Sequence, residues 1–176
     1  MVLAKFDDLL ATVETYQALA KENYDRIRRL AEELRDGLCA YLGSSDGVCV
    51  HLVPPAGSFE PRSYGDQAFS VAPRGFRPLG PIRFGVAVRV TKGTDWLRLT
   101  VECSKSGETF RVVMEGGREY SFKLPLAEHD PEPLYEEIYD HIRGWFQTRI
   151  DDYKGGDIGT REIGFDFADS VEEGKV

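Results

Sequence analysis

Little in this chain suits it to hold a metal, cross a membrane or grip a phosphate backbone. Among 176 residues there are three cysteines, three histidines and two tryptophans. Apolar residues never run on for the roughly 18 positions that a spanning helix needs, so no membrane association is expected. Basic residues are the minority, 22 Lys and Arg against 30 Asp and Glu, and a net charge of −8 argues against nucleic acid as a partner. Two phosphate-binding signatures are missing, G-x-x-x-x-G-K-[ST] and G-x-G-x-x-G. So are H-E-x-x-H and the acidic calcium loop, and no cofactor is implied.

Cys39, Cys49 and Cys103 are odd in number and include no C-x-x-C pair. That pattern predicts reduced thiols. The opening Met-Val-Leu-Ala-Lys-Phe-Asp-Asp lacks the basic-then-apolar order of a signal peptide. Together these give a cytoplasmic location as the expectation.

What is present is an ordinary globular composition, 41% apolar and 30% charged, with enough chain for one domain. Its charge is uneven. Residues 127–176 hold 14 acidic and 5 basic side chains, whereas residues 1–126 hold 16 and 17. The whole acidic excess falls in the last third, as a surface for a basic partner or as a solubilising face.

The first segment is an amphipathic helix within residues 1–42. Phe6, Leu9, Val13, Tyr16, Ala20, Tyr24, Ile27, Ala31, Leu34, Leu38 and Tyr41 recur at spacings of three and four. No Pro or Gly interrupts residues 1–36, and Gly37 and Gly43 mark the end. Thirty-six helical residues would span about 54 Å, more than the roughly 40 Å width of a compact chain this long. The helix either breaks near Thr12–Thr15 or protrudes. A protruding stripe with a mean spacing of 3.5 would be covered by a second copy, giving a homodimer through this helix.

Residues 47–53 read as a strand, followed over 54–81 by a Pro- and Gly-rich loop that could hold a short strand near Ala68–Ala72. Four alternating segments follow, 82–90, 96–103, 109–115 and 119–126, joined by short Gly-containing turns. A second helix begins where Asp130 and Pro131 suit its first turn, and Leu134, Tyr135, Ile138, Ile142, Trp145, Phe146, Ile150 and Tyr153 form its stripe. Ile163, Phe165 and Phe167 alternate as a last strand, expected at a sheet edge. Residues 1–169 therefore form one α+β domain, an antiparallel meander with both helices packed on one sheet face, and 170–176 read as a disordered tail.

For catalysis the sequence offers weak material. His51 and Cys49 share a strand but two ligands make no zinc site. His129 and His141 are at most candidate general bases for a hydrolase. The Asp151-Asp152-Asp157 and Asp166-Asp169 groups, and the Glu102 and Lys105 pair, match no trusted metal or nuclease spacing. Cys103 falls on the core face, where burial makes a thiol inert.

A cationic cluster is more suggestive. Arg62, Tyr64, Arg74, Arg77 and Arg83 lie in and beside the long loop, with Phe59, Phe69 and Phe76 interleaved. Arg stacks on aromatic rings and forks onto carboxylates and phosphates, so these are candidate residues for an anionic ligand. On the polar sheet face, Arg98, Arg111 and Lys123 are expected to pair across strands with Glu102, Glu115 and Glu119. The leading functional expectation is a non-enzymatic protein-interaction module of adaptor, chaperone-like or inhibitor type. An anionic-ligand-binding domain is the alternative, and a hydrolase stands behind both.

Overall fold

The long apolar stripe folds as a single helix. In the computed structural model, described for residues 4–44, 47–71, 76–116, 118–156 and 165–168, α1 runs unbroken over Lys5–Leu42. Its 38 residues measure about 57 Å. Thr12 and Thr15 do not break it; their hydroxyls donate to the carbonyls of Asp8 and Ala11, one turn back. Nor does it end at Gly37. The phenol of Tyr135 occupies the place that a Cβ at position 37 would take, and Tyr135 Oη donates to the Glu33 carbonyl at 3.1 Å. Gly37 is thus the point at which the second helix crosses the first. The helix stops at Gly43, whose φ of 71° suits a residue without a side chain.

Beyond α1 come β1 (Val50–Val53), β2 (Ile82–Arg89), β3 (Trp96–Ser106), β4 (Thr109–Met114) and β5 (Arg118–Lys123). Each pairs antiparallel with the next, in the spatial order β1-β2-β3-β4-β5. Alternation within each strand fixes the register: Phe84, Val101 and Met114 sit side by side in one row, all buried. The long loop contributes one 3-10 turn, Gly65–Ala68, and an isolated bridge, Phe69 to Phe84, which extends the edge beside β2. α2 (Glu132–Lys154) follows β5, with the Asp130 carboxylate accepting from the Glu132 N–H at 3.1 Å.

One face of the sheet carries the core. Ile27, Leu30, Leu34 and Leu38 of α1 and Leu134, Tyr135 and Ile138 of α2 pack with Val86, Leu99, Val101, Phe110 and Val112. Five strands about 4.8 Å apart are roughly 24 Å wide. The buried part of α1, Ala20 to Leu38, is about 27 Å long. The sheet therefore covers only that part of the helix, and residues 5–19 extend past it.

The opposite face corrects two expectations. Arg98 does not sit on a solvated surface but is 3% exposed. Its guanidinium donates to the carbonyls of Pro54 (3.2 Å) and Gly57 (2.7 Å), and to Asp166 Oδ2 (2.7 Å), not to Glu102. Gly85 makes room for it, since a Cβ there would lie 2.8 to 2.9 Å from the Val53 and Pro54 carbonyls and Arg98 Cδ. Around it Val53, Phe59, Ala87 and Trp96 form a second, smaller apolar cluster. Arg111 does pair across the strand with Glu119, through two bonds of 2.7 and 2.9 Å. The last strand, β6 (Asp166–Phe167), pairs with β3 alone, at Arg98 and Leu97 and in line with β4, and has no strand on its other side among the described residues. Ile163 and the 170–176 tail lie outside the described residues.

Cysteine pairing is the third correction. Cys39 in the last turns of α1 is disulfide-bonded to Cys49, with Cα atoms 5.6 Å apart. The turn at Gly43 reverses the chain and brings the two together. This removes the argument from reduced thiols on which a cytoplasmic location rested. Cys103 is a buried free thiol, and burial raises its pKa well above the usual thiol range. No helix among the described residues is long and apolar enough to cross a membrane.

Candidate functional site

The loop arginines are placed by aromatic rings. Arg62 lies over the Tyr64 ring at 3.8 Å and bonds Glu60 at 3.2 Å, while the Tyr64 hydroxyl accepts from the Glu60 N–H at 3.0 Å. Arg77 lies over the Tyr24 ring at 4.1 Å. Tyr24 donates to Asp66 at 2.6 Å, and Arg28 binds the same carboxylate at 2.6 Å. The Tyr24 hydrogen bond, then Arg28 and Arg77, hold the Asp66 carboxyl below its ordinary range. Burial and Asp66 push the Tyr24 phenol up to about 12. Arg83 stands exposed on β2 opposite Glu102. Arg74 lies outside the described residues.

Arg62 and Tyr64 are thus brought together, and Arg77 is joined to Tyr24 on α1, but Arg83 is on another surface. Tyr64 lines a small cavity of about 160 Å³ with Arg28, Arg35 and His51. Arg28 is paired there with Glu32 and Asp66, and Arg35 with Asp36. This network fastens the loop to α1.

The histidines lie apart. His51 packs against Trp96 with centroids 5.2 Å apart, His129 stacks on Phe122 at 3.8 Å, and His141 meets the edge of Phe165 at 5.5 Å. Burial lowers the pKa of each below the ordinary imidazole range. Among the described residues none has a side-chain hydrogen bond to a carboxylate, hydroxyl or thiol. Glu102 and Lys105 point to opposite faces of β3: Glu102 lies across from Arg83, Lys105 across from buried Phe110. Asp151 bonds Gln147, and Asp152 approaches Arg149 at 3.7 Å. Asp157 and Asp169 fall outside the described residues. A G-x-S-x-G elbow is not expected from the sequence, yet Gly43-Ser44-Ser45-Asp46-Gly47 does spell the pattern. It leads from a helix into a strand, the reverse of a nucleophile elbow, and Ser45 is outside the described residues.

Two features stand at the ends of α1: a protruding arm, which was one of the two outcomes expected from the stripe's length, and a cleft that the sequence expectations did not include. The first is the N-terminal arm, residues 5–19. Phe6 is 71% exposed and Leu9 59%, with Leu10 and Leu19 also open. Tyr16 fixes the arm's root, donating to the Arg77 carbonyl at 3.0 Å beside Phe76. The second is an open cleft of about 780 Å³ where α2 leaves the sheet. Its floor is Leu42, Val88, Val90, Ile142, Phe146 and Ile150; its polar rim carries Arg89, Lys92 and Arg143, with no carboxylate in the lining among the described residues. The signal for both was stripe length. The α2 stripe spans 20 residues, yet only Leu134, Tyr135 and Ile138 of that helix are fully buried.

Set against known proteins, the chain matches no family model, no curated protein and no solved structure.

Proposed function

We propose that this chain is a protein-interaction module rather than an enzyme, of the adaptor, chaperone-like or inhibitor kind. The observation that supports this reading is the arm. Helical residues 5–19 run past the sheet and, beyond the root at Tyr16, present Phe6, Leu9 and Leu10 to solvent on one side. Helices of this length are marginal in water without a packed face. Its N-cap adds nothing, since Ala4 stands there without a side-chain hydrogen bond. A partner that covers the stripe supplies what the sequence does not. The acidic part of the chain offers a second contact: Glu132, Glu136 and Asp140 recur along one side of α2 beside Tyr41 and Tyr139, open to a basic segment.

The test is a photo-reactive residue at position 10 of the full chain, made in the cell of origin, with position 121 on the sheet as control. Adducts of defined mass at position 10, but not at 121, are expected. No protein adduct at position 10 overturns the reading.

A further inference from the structure

We infer that the arm's partner is a second copy of this chain, and that each arm lies in the other copy's cleft between α2 and the end of β2. The inference rests on the interaction reading and names its partner. Three observations meet here. The first is charge. The arm, residues 5–19, carries Asp7, Asp8 and Glu14 against Lys5 alone, and none of these four has an ion-pair partner among the described residues. Among the described residues, the cleft lining carries Arg89, Lys92 and Arg143 and no carboxylate, in a chain whose net charge is −8. Two of them, Lys92 and Arg143, have no ion pair among the described residues. An acidic helix and a basic apolar trough are complementary, whereas two such arms laid on each other would set carboxylates against carboxylates.

The second is size. From Phe6 to Leu19 the arm's apolar side is about 20 Å long, and the cleft wall from Ile138 to Ile150 is about 18 Å. Two arms, each covered along one side, bury on the order of 1,000 to 1,500 Å² counting both partners, the scale of a specific interface.

The third is position. The arm and the cleft are at opposite ends of one unbroken helix, since Leu42 and Gly43 line the cleft. A two-fold axis that sets two copies of α1 antiparallel brings each arm to the other copy's cleft at once, and the contact closes as a dimer.

Analytical ultracentrifugation of the full chain tests this with two charge reversals, Asp7→Lys with Asp8→Lys in the arm and Lys92→Glu with Arg143→Glu at the cleft. All four positions are exposed. The native chain is expected to be a dimer. Each reversal alone should weaken it at least tenfold, and the two combined in one chain should restore most of the loss. Circular dichroism checks that each variant is folded. A dimer that responds to the arm reversal but not to the cleft reversal overturns the inference, as does an open-ended polymer. A native chain that stays monomeric while position 10 still crosslinks to a different protein also overturns it, and leaves the interaction reading intact. Absence of any adduct overturns both.

Discussion

At Gly37 and Arg98, single side chains settle how elements meet. A glycine inside a helix costs about 1 kcal/mol relative to alanine, so Gly37→Ala on an isolated helix would stabilise. Here the Tyr135 phenol occupies that place, and the substitution should instead destabilise by about 1–3 kcal/mol. In a Tyr135→Ala background the same change should turn neutral or favourable, which a double-mutant cycle by urea denaturation will read. Arg98→Met should cost about 2–4 kcal/mol, because the buried Pro54 and Gly57 carbonyls lose their donor. Asp166→Asn should cost less: the Asp166 side chain is 68% exposed, and an amide oxygen can still accept from Arg98. Equal losses in the two variants would contradict this ordering. Neither role was readable in the sequence. Gly37 looked like a terminator because nothing local records a tyrosine 98 positions away. Arg98 sat correctly on the alternate face, but the loop and β6 that cover it come from distant parts of the chain.

The elements themselves were legible where periodicity is local. The β2–β5 meander follows from strict alternation and short turns, and α1 from its stripe. Pattern could not say how far the stripe stayed covered, because that depends on the width of the sheet beneath it. Cysteine pairing was misjudged for a related reason, since parity says nothing of a chain reversal at Gly43. Thiol counting tests the pairing. The unfolded chain should show one reactive thiol, Cys103, before reduction and three after it. Replacing Cys39 and Cys49 together by alanine should cost about 2.5 kcal/mol, the chain-entropy value for closing so short a loop.

For the whole molecule, the three histidines give stability a pH dependence of fixed sign. Each has a folded pKa lowered by burial, so as pH falls the unfolded chain takes up protons first. Stability is fully present above the ordinary imidazole value of about 6.5 and is lost as pH drops below it, through the lowered folded values. Asp36, Asp66 and Glu119, held low by Arg35, Tyr24 and Arg111 respectively, extend the loss to more acid pH, while Glu33, raised by burial, opposes it. Urea midpoints measured between pH 8 and pH 5 should fall steadily, and His129→Phe, which keeps a ring against Phe122, should flatten the curve. A midpoint that rises toward pH 5 would contradict the assignment.

β6 also has a consequence for how the molecule is made. Arg98 lies in the sheet's third strand, and its carboxylate partner is 68 residues further on. During synthesis the guanidinium can bind the Pro54 and Gly57 carbonyls, made before it, but waits for Asp166 to leave the ribosome before it meets its carboxylate. The last part of the cover on the second face, Asp166 with the Leu97–Phe167 pairing, is a late event. A chain halted before residue 166 would keep the two carbonyl acceptors of Arg98 but leave that charge without its carboxylate, at the centre of the sheet.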